Sequence, residues 1–170
     1  MIGESILCDK CCSTGAVLLS RKLPKNLLDA IRKEIMQTFM PHENFNVSAR
    51  CLDDKRLGKQ RVEAYQILKA LRGDYDKTGA WVNHPATVMW RNHQGALCNY
   101  GIAMCLEWVK RGFNDTLLYQ FLDNNTGKHN NPWWVNNELV HLTHRSNLIR
   151  KDWDYYTFDV PNNIPYVWPL

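Results

Sequence analysis

The chain has 170 residues, 45% apolar and 11% aromatic, with 21 Lys/Arg against 17 Asp/Glu for a net charge of +4. This composition excludes a disordered or low-complexity chain and fits one globular domain with a real hydrophobic core. No run reaches the roughly 20 apolar residues of a membrane helix, and the N-terminus lacks the basic-then-apolar pattern of a secretory signal. Six cysteines (Cys8, Cys11, Cys12, Cys51, Cys98, Cys105) in such a chain read as reduced thiols, so the expected location is the cytoplasm.

Residues 1–22 show no clear periodicity. Cys8, Cys11 and Cys12 form a CxxCC cluster, but a structural zinc needs four ligands and no second Cys/His pair follows at finger spacing. Pro24 opens a short amphipathic helix with Leu27, Leu28, Ile31 and Ile35 on one side. The texture changes at Met36. MQTFMPHENFNVSAR reads as an entry segment broken by Pro41, with Ser48 placed to cap the helix that follows.

That helix, expected over Arg50 to Arg72, carries seven Lys/Arg against three acids. Its surplus of +4 equals that of the whole chain. Leu57, Ala64, Leu68 and Leu71 make an apolar stripe. Gly73 suits a left-handed position just past the end. A second stripe, Arg56, Lys59 and Glu63 between Leu52 and Ala70, borders the first. An acid three or four residues from basic partners is also what an ordinary solvated face provides. Here, however, the charged stripe adjoins the core stripe, so Glu63 should be partly desolvated beside Ile67. Burial pushes its carboxyl up while neighbouring cations pull it down, an opposition typical of working acids.

GDYDKTGAWVN is a turn-rich loop. A long helix is then expected from His84-Pro85 to Gly112, burying Met89, Leu97, Tyr100, Met104 and Trp108. Gly95 and Gly101 inside it suggest close approach of another helix, the charged one being the candidate. A short apolar piece runs from Leu117 to Leu122, and DNNTGKHNN is a polar loop. A last helix covers Asn136 to Lys151. The tail, with three prolines and six aromatics, is irregular. The residues alone therefore give a single, mainly α domain with an aromatic C-terminal tail.

No phosphate-binding glycine loop, nucleophile elbow or complete zinc signature is present. His141 and His144, spaced i, i+3, form a pair more usual on a polar face than at a metal, and no metal or other cofactor is expected. What remains is a carboxylate among cations, a basic helix end and surplus aromatics. Arg and Lys engage phosphates, aromatics stack on displaced bases, and a carboxylate steadies positive charge on a sugar or moves a proton.

These residues resemble the pyrimidine-dimer DNA glycosylase family, the phage endonuclease V type of base-excision enzyme. Leu52 to Glu63 is similar to that family's catalytic helix, its essential Glu falling on Glu63 and a family His position on Arg56. Lys110-Arg111-Gly112-Phe113-Asn114 is similar to a family pentapeptide. Trp153-Asp154-Tyr155-Tyr156 is similar to its aromatic Trp-x-x-Tyr-Tyr segment, one residue shorter. MQTF, LDDKRLGKQRVEA, HRSNLIRKD and PYVWP also resemble bacterial and phage relatives of that enzyme. The likeness spans about Met36 to Tyr156.

The resemblance implies an all-α fold, here a compact domain of three to five helices over 36–170, with residues 1–35 as an N-terminal extension. It implies removal of a damaged or modified pyrimidine from duplex DNA by a monomer, with strand cutting at the abasic site. The catalytic residues would be Glu63, Arg56 and Lys59. DNA would be met by Lys55, Arg61, His84, Arg91, Lys110, Arg145, Arg150, Lys151, Trp153, Tyr155 and Tyr156. The family's nucleophile is an α-amine near the start of the chain, whereas 62 residues precede Glu63 here. A start at Met36 or removal of residues 1–35 restores the register, and Lys59 or Lys55 is the alternative amine. Two other readings stay open: a non-catalytic nucleic-acid-binding module, and a metal-dependent nuclease using Asp53, Asp54 and Glu63.

Overall fold

The structure, a computed structural model, describes residues 37–75, 81–127 and 130–170. The expected helix after Pro24 and the Cys8/Cys11/Cys12 cluster lie outside the described residues. Six α-helices and a 3-10 turn follow from Met36 onward: α1 Phe45–Cys51, α2 Asp54–Arg72, α3 Pro85–Met89, α4 Gln94–Lys110, α5 Leu118–Asp123, the 3-10 turn Trp133–Asn136 and α6 Glu138–Lys151. The described residues contain no strand. The domain is all-α, and none of its described helices is long and apolar enough to cross a membrane.

Both long helices expected from sequence are split. The charged helix breaks at Leu52, where the backbone turns extended and Asp53 starts a new helix. Asp53 accepts from the Arg56 N–H, the geometry of an N-cap. Ser48 is not the cap: Asn44 caps α1, while Ser48 is buried and exchanges hydrogen bonds with His42. The second helix breaks between Trp90 and His93, where Asn92 takes φ 67°, a left-handed conformation that asparagine tolerates.

Helix α4 is the axis of the packing and touches α1, α2 and α5. Its Leu97, Tyr100 and Met104 share one buried core with Leu57, Ile67 and Leu68 of α2. Trp90 and Trp134 meet edge to face with centroids 4.8 Å apart. Gly101 does allow a close approach, though by Phe121 of α5 and not by the charged helix. A Cβ there would fall well inside van der Waals contact with the Phe121 ring. The charged helix makes its own close contact through Gly58, whose added Cβ would lie 2.9 Å from the Trp108 ring.

Candidate active site

The site forms where α2 meets the extended segment 37–42. This segment has no strand partner, so its backbone polar groups need other partners. Side chains supply them. The Gln37 carbonyl accepts from Gln60 Nε2 at 2.8 Å, and the Thr38 carbonyl accepts from the Tyr166 hydroxyl at 2.8 Å. The Phe39 N–H donates to Gln60 Oε1 at 3.1 Å, and the Tyr100 hydroxyl lies 2.9 Å from the Phe39 carbonyl. Met40 donates its N–H to His144 Nδ1 and has His141 Nδ1 2.8 Å from its carbonyl. Arg145 donates to the Pro41 carbonyl at 2.8 Å. Six residues are thus held in one conformation by seven side chains from α1, α2, α4, α6 and the tail, counting Ser48 on His42.

Glu63 lies against the beginning of this segment. Its side chain retains 9% exposure. Oε2 accepts a 2.7 Å hydrogen bond from Gln60 Nε2, the same amide that holds the Gln37 carbonyl. Oε1 faces the half-exposed Lys59 ammonium at 3.4 Å. Burial pushes the Glu63 carboxyl up to about 7, against the pull of Lys59, the Gln60 hydrogen bond and the more distant Lys151. A carboxyl balanced there carries substantial populations of both protonation states near neutral pH, as proton transfer requires. The field of Glu63 adds to burial in raising the phenols of Tyr100 and Tyr166.

Of the expected catalytic set, Lys59 touches Glu63 and Arg56 does not. Seven residues before Glu63, Arg56 sits roughly 10 Å away along the helix axis. It binds Asp53 at 2.6 Å and Asp152 at 3.5 Å and lies over the Tyr156 ring. Burial pushes Asp53 up, but the Tyr156 hydroxyl and the Arg56 guanidinium overcome it and hold the carboxyl below its ordinary value. In this structure Arg56 is therefore engaged away from Glu63. It fixes the start of α2 against the end of α6.

Several of the residues expected at DNA also have partners within the protein. Tyr156 is buried, with its hydroxyl on Asp53. Arg61 is buried in an ion pair with Asp115 and stacks on Trp108, because a residue two along from Glu63 points to the other side of the helix. Arg145 holds Pro41 and Glu138. Arg150 holds the tail through Ser146 and the carbonyls of Asn162 and Ile164. His84 caps α3 from a partly buried position between Trp81 and Trp168. Lys55, Arg91, Lys110 and Lys151 remain at the surface. So do Trp153, 75% exposed, and Tyr155, 50% exposed.

Sequence reasoning missed Gln60, Tyr100 and Tyr166. Gln60 was within reach, since i−3 from Glu63 puts the two on one helix face. The tyrosines arrive from 37 and 103 residues further along the chain than Glu63, and no local pattern marks them. The acids of the metal-nuclease reading do not converge: Asp53 binds Arg56, Asp54 binds Arg111 and Glu63 binds Lys59. Among the described residues, no three His, Cys, Asp or Glu side chains form a metal-sized cluster.

Comparison with known families gives a match to part of the chain. The family model described as pyrimidine dimer DNA glycosylase covers residues 36–121, which hold the pinned segment, Glu63 and the packing axis α4. Neither the curated proteins nor the solved structures contain a match to this chain.

Proposed function

Since the chain belongs to the pyrimidine dimer DNA glycosylase family, we propose that it releases a damaged or modified pyrimidine from duplex DNA, with Glu63 acting on the sugar of an extruded nucleotide. The observation that carries this reading is the shared Gln60 amide, which puts the raised Glu63 carboxyl beside the main chain at Gln37. A polypeptide beginning at Met36 or Gln37 has its α-amine within a residue of that carbonyl. An α-amine titrates near 8, so a useful fraction is neutral and nucleophilic at physiological pH.

In the proposed reaction the amine lone pair forms a bond to C1′ as the bond from C1′ to the base breaks. The proton shed by the newly bonded amine passes to the departing base. Ionised Glu63 steadies the positive charge that develops on the sugar. Opening of the sugar ring, with a proton from water taken up at O4′, leaves a protonated imine; removal of a 2′ proton by the carboxylate then expels the 3′ phosphate, cutting the strand. Exposed Trp153 and Tyr155 offer faces for stacking, and Lys55, Lys59 and Lys151 offer charges for the phosphates. The 3.4 Å approach of Lys59 to Glu63 favours a second reading in which Lys59 is the amine.

The test is a panel of duplexes carrying ultraviolet dimers, modified pyrimidines or an abasic site, incubated with and without borohydride. The whole chain is compared with one beginning at Met36. The expected result is base release, with a borohydride-trapped adduct on the α-amine of the shorter chain. An adduct mapping to Lys59 would select the second reading. Salt-steep binding without product or adduct on any substrate would overturn both and leave a binding module.

A further inference from the structure

Gln60 makes hydrogen bonds in four directions from a position almost wholly removed from solvent. Nε2 donates to Glu63 Oε2 at 2.7 Å and to the Gln37 carbonyl at 2.8 Å. Oε1 accepts from the Phe39 N–H at 3.1 Å and from the Tyr100 hydroxyl at 2.7 Å. The amide orientation follows from these partners: a carboxylate and a carbonyl require the N–H₂ group, and a backbone N–H requires the oxygen. No other residue at the site can occupy all four points, because they need two donors and an acceptor on one short planar group. The residue is 2% exposed, so no water can replace it without a cavity.

We propose that Gln60 is the positioning residue of this site, fixing the Glu63 carboxylate and the main chain at 37–39 in one register. The assignment rests on the catalytic reading above but makes a claim of its own. The carboxylate and the backbone on which the amine is carried are locked together through one side-chain amide and not through separate contacts. A displacement of about 1 Å at such a site reduces rate about a hundredfold, so the group that sets the spacing is felt in kcat. It touches neither DNA nor the reacting sugar, so affinity for the substrate should hardly move.

Two variants test this. Gln60→Met keeps the volume and removes all four hydrogen bonds. Gln60→Glu keeps the acceptor for Phe39 and Tyr100 but replaces the donor to Glu63 and Gln37 with a second carboxyl. Three quantities are measured in the chain beginning at Met36 and in the whole chain: single-turnover base release, DNA affinity, and titration of the Glu63 side-chain carboxyl by carbon-13 NMR. Both variants are expected to lose about tenfold or more in rate at a DNA affinity within about twofold of wild type. The carboxyl midpoint should rise above about 7 in both, because the donor favouring the ionised form has gone.

A merely structural residue would lower melting temperature without moving that midpoint. An unmoved midpoint in Gln60→Glu with wild-type rate overturns the proposal, and Gln60→Glu decides the matter if Gln60→Met fails to fold. Glu63→Gln is run beside them. Base release that survives Glu63→Gln overturns the catalytic reading, while the NMR titration still decides on Gln60. Loss in Glu63→Gln alone, with both Gln60 variants like wild type, overturns the Gln60 role and leaves the catalytic reading standing.

Discussion

Ionised Glu63 makes the domain less stable above neutral pH. Its carboxyl has an ordinary value of 4.5 and is pushed to about 7 in the fold. Between these values the folded state binds a proton that the unfolded chain releases, so stability falls as pH rises from 4.5 to 7. Above pH 7 the full cost remains, about 3 kcal/mol as an order of magnitude. Glu63→Gln is therefore expected to raise the melting temperature at pH 8, with the gain shrinking toward pH 5. A variant that gains stability while losing base release marks a residue kept for function. Equal melting temperatures at pH 8 would show that the carboxylate is comfortable where it lies and is not a strained catalytic group. That Glu63 would be partly desolvated was legible in the sequence from the adjoining stripes. That Arg56 would turn toward Asp53 was not, because its partners Tyr156 and Asp152 come from the far end of the chain.

At the scale of elements, the helices were legible and their breaks were not. The 3.6-residue pattern runs on through Leu52 and through Trp90, since the residues on either side stay buried as the axis turns. What breaks the first helix is the Asp53 cap, and that cap works through long-range partners. Asp53→Ala removes the acceptor for the Arg56 N–H, the ion pair with Arg56 and the partner of the Tyr156 hydroxyl together. It should destabilise by about 2–4 kcal/mol, read by denaturant titration; a loss under about 0.5 kcal/mol would mean the cluster is decorative. Gly101→Ala is the counterpart at the contact of α4 with α5. Alanine favours the helix by about 1 kcal/mol, but its Cβ collides with the Phe121 ring. The net expectation is a loss of about 1–3 kcal/mol, largely recovered by the double variant Gly101→Ala/Phe121→Leu. A stabilised Gly101→Ala would contradict the packing described.

Over the whole molecule, the net +4 concentrated on α2 leads to two different ends. Arg56 and Arg61 are engaged inside the protein, whereas Lys55 and Lys59 of α2 and Lys151 of α6 are at the surface, where the proposed function has them meet phosphates. Charge counted from sequence therefore overstates the charge that reaches the surface. Lys55→Ala should weaken binding evenly across sequences and reduce the slope of log affinity against log salt by about 1. Arg61→Ala should leave that slope unchanged while lowering stability, because its charge is already paired with Asp115. A slope that falls in Arg61→Ala would place DNA on the other side of α2 from Glu63. The pinned segment 37–42 is the feature that the sequence hid most completely. Its seven side-chain partners are drawn from residues 48 to 166, and only the assembled fold brings them to one backbone.

The central claim is that ionised Glu63 drives removal of the base, and its most direct measurement is single-turnover base release from a dimer-containing duplex between pH 5 and 9. Wild-type rate should climb as Glu63 ionises near 7 and as the attacking amine loses its proton near 8, then level off, while Glu63→Gln binds the same duplex with unchanged affinity and releases nothing. A rate in Glu63→Gln equal to wild type at pH 8, where Glu63 is ionised, would contradict it.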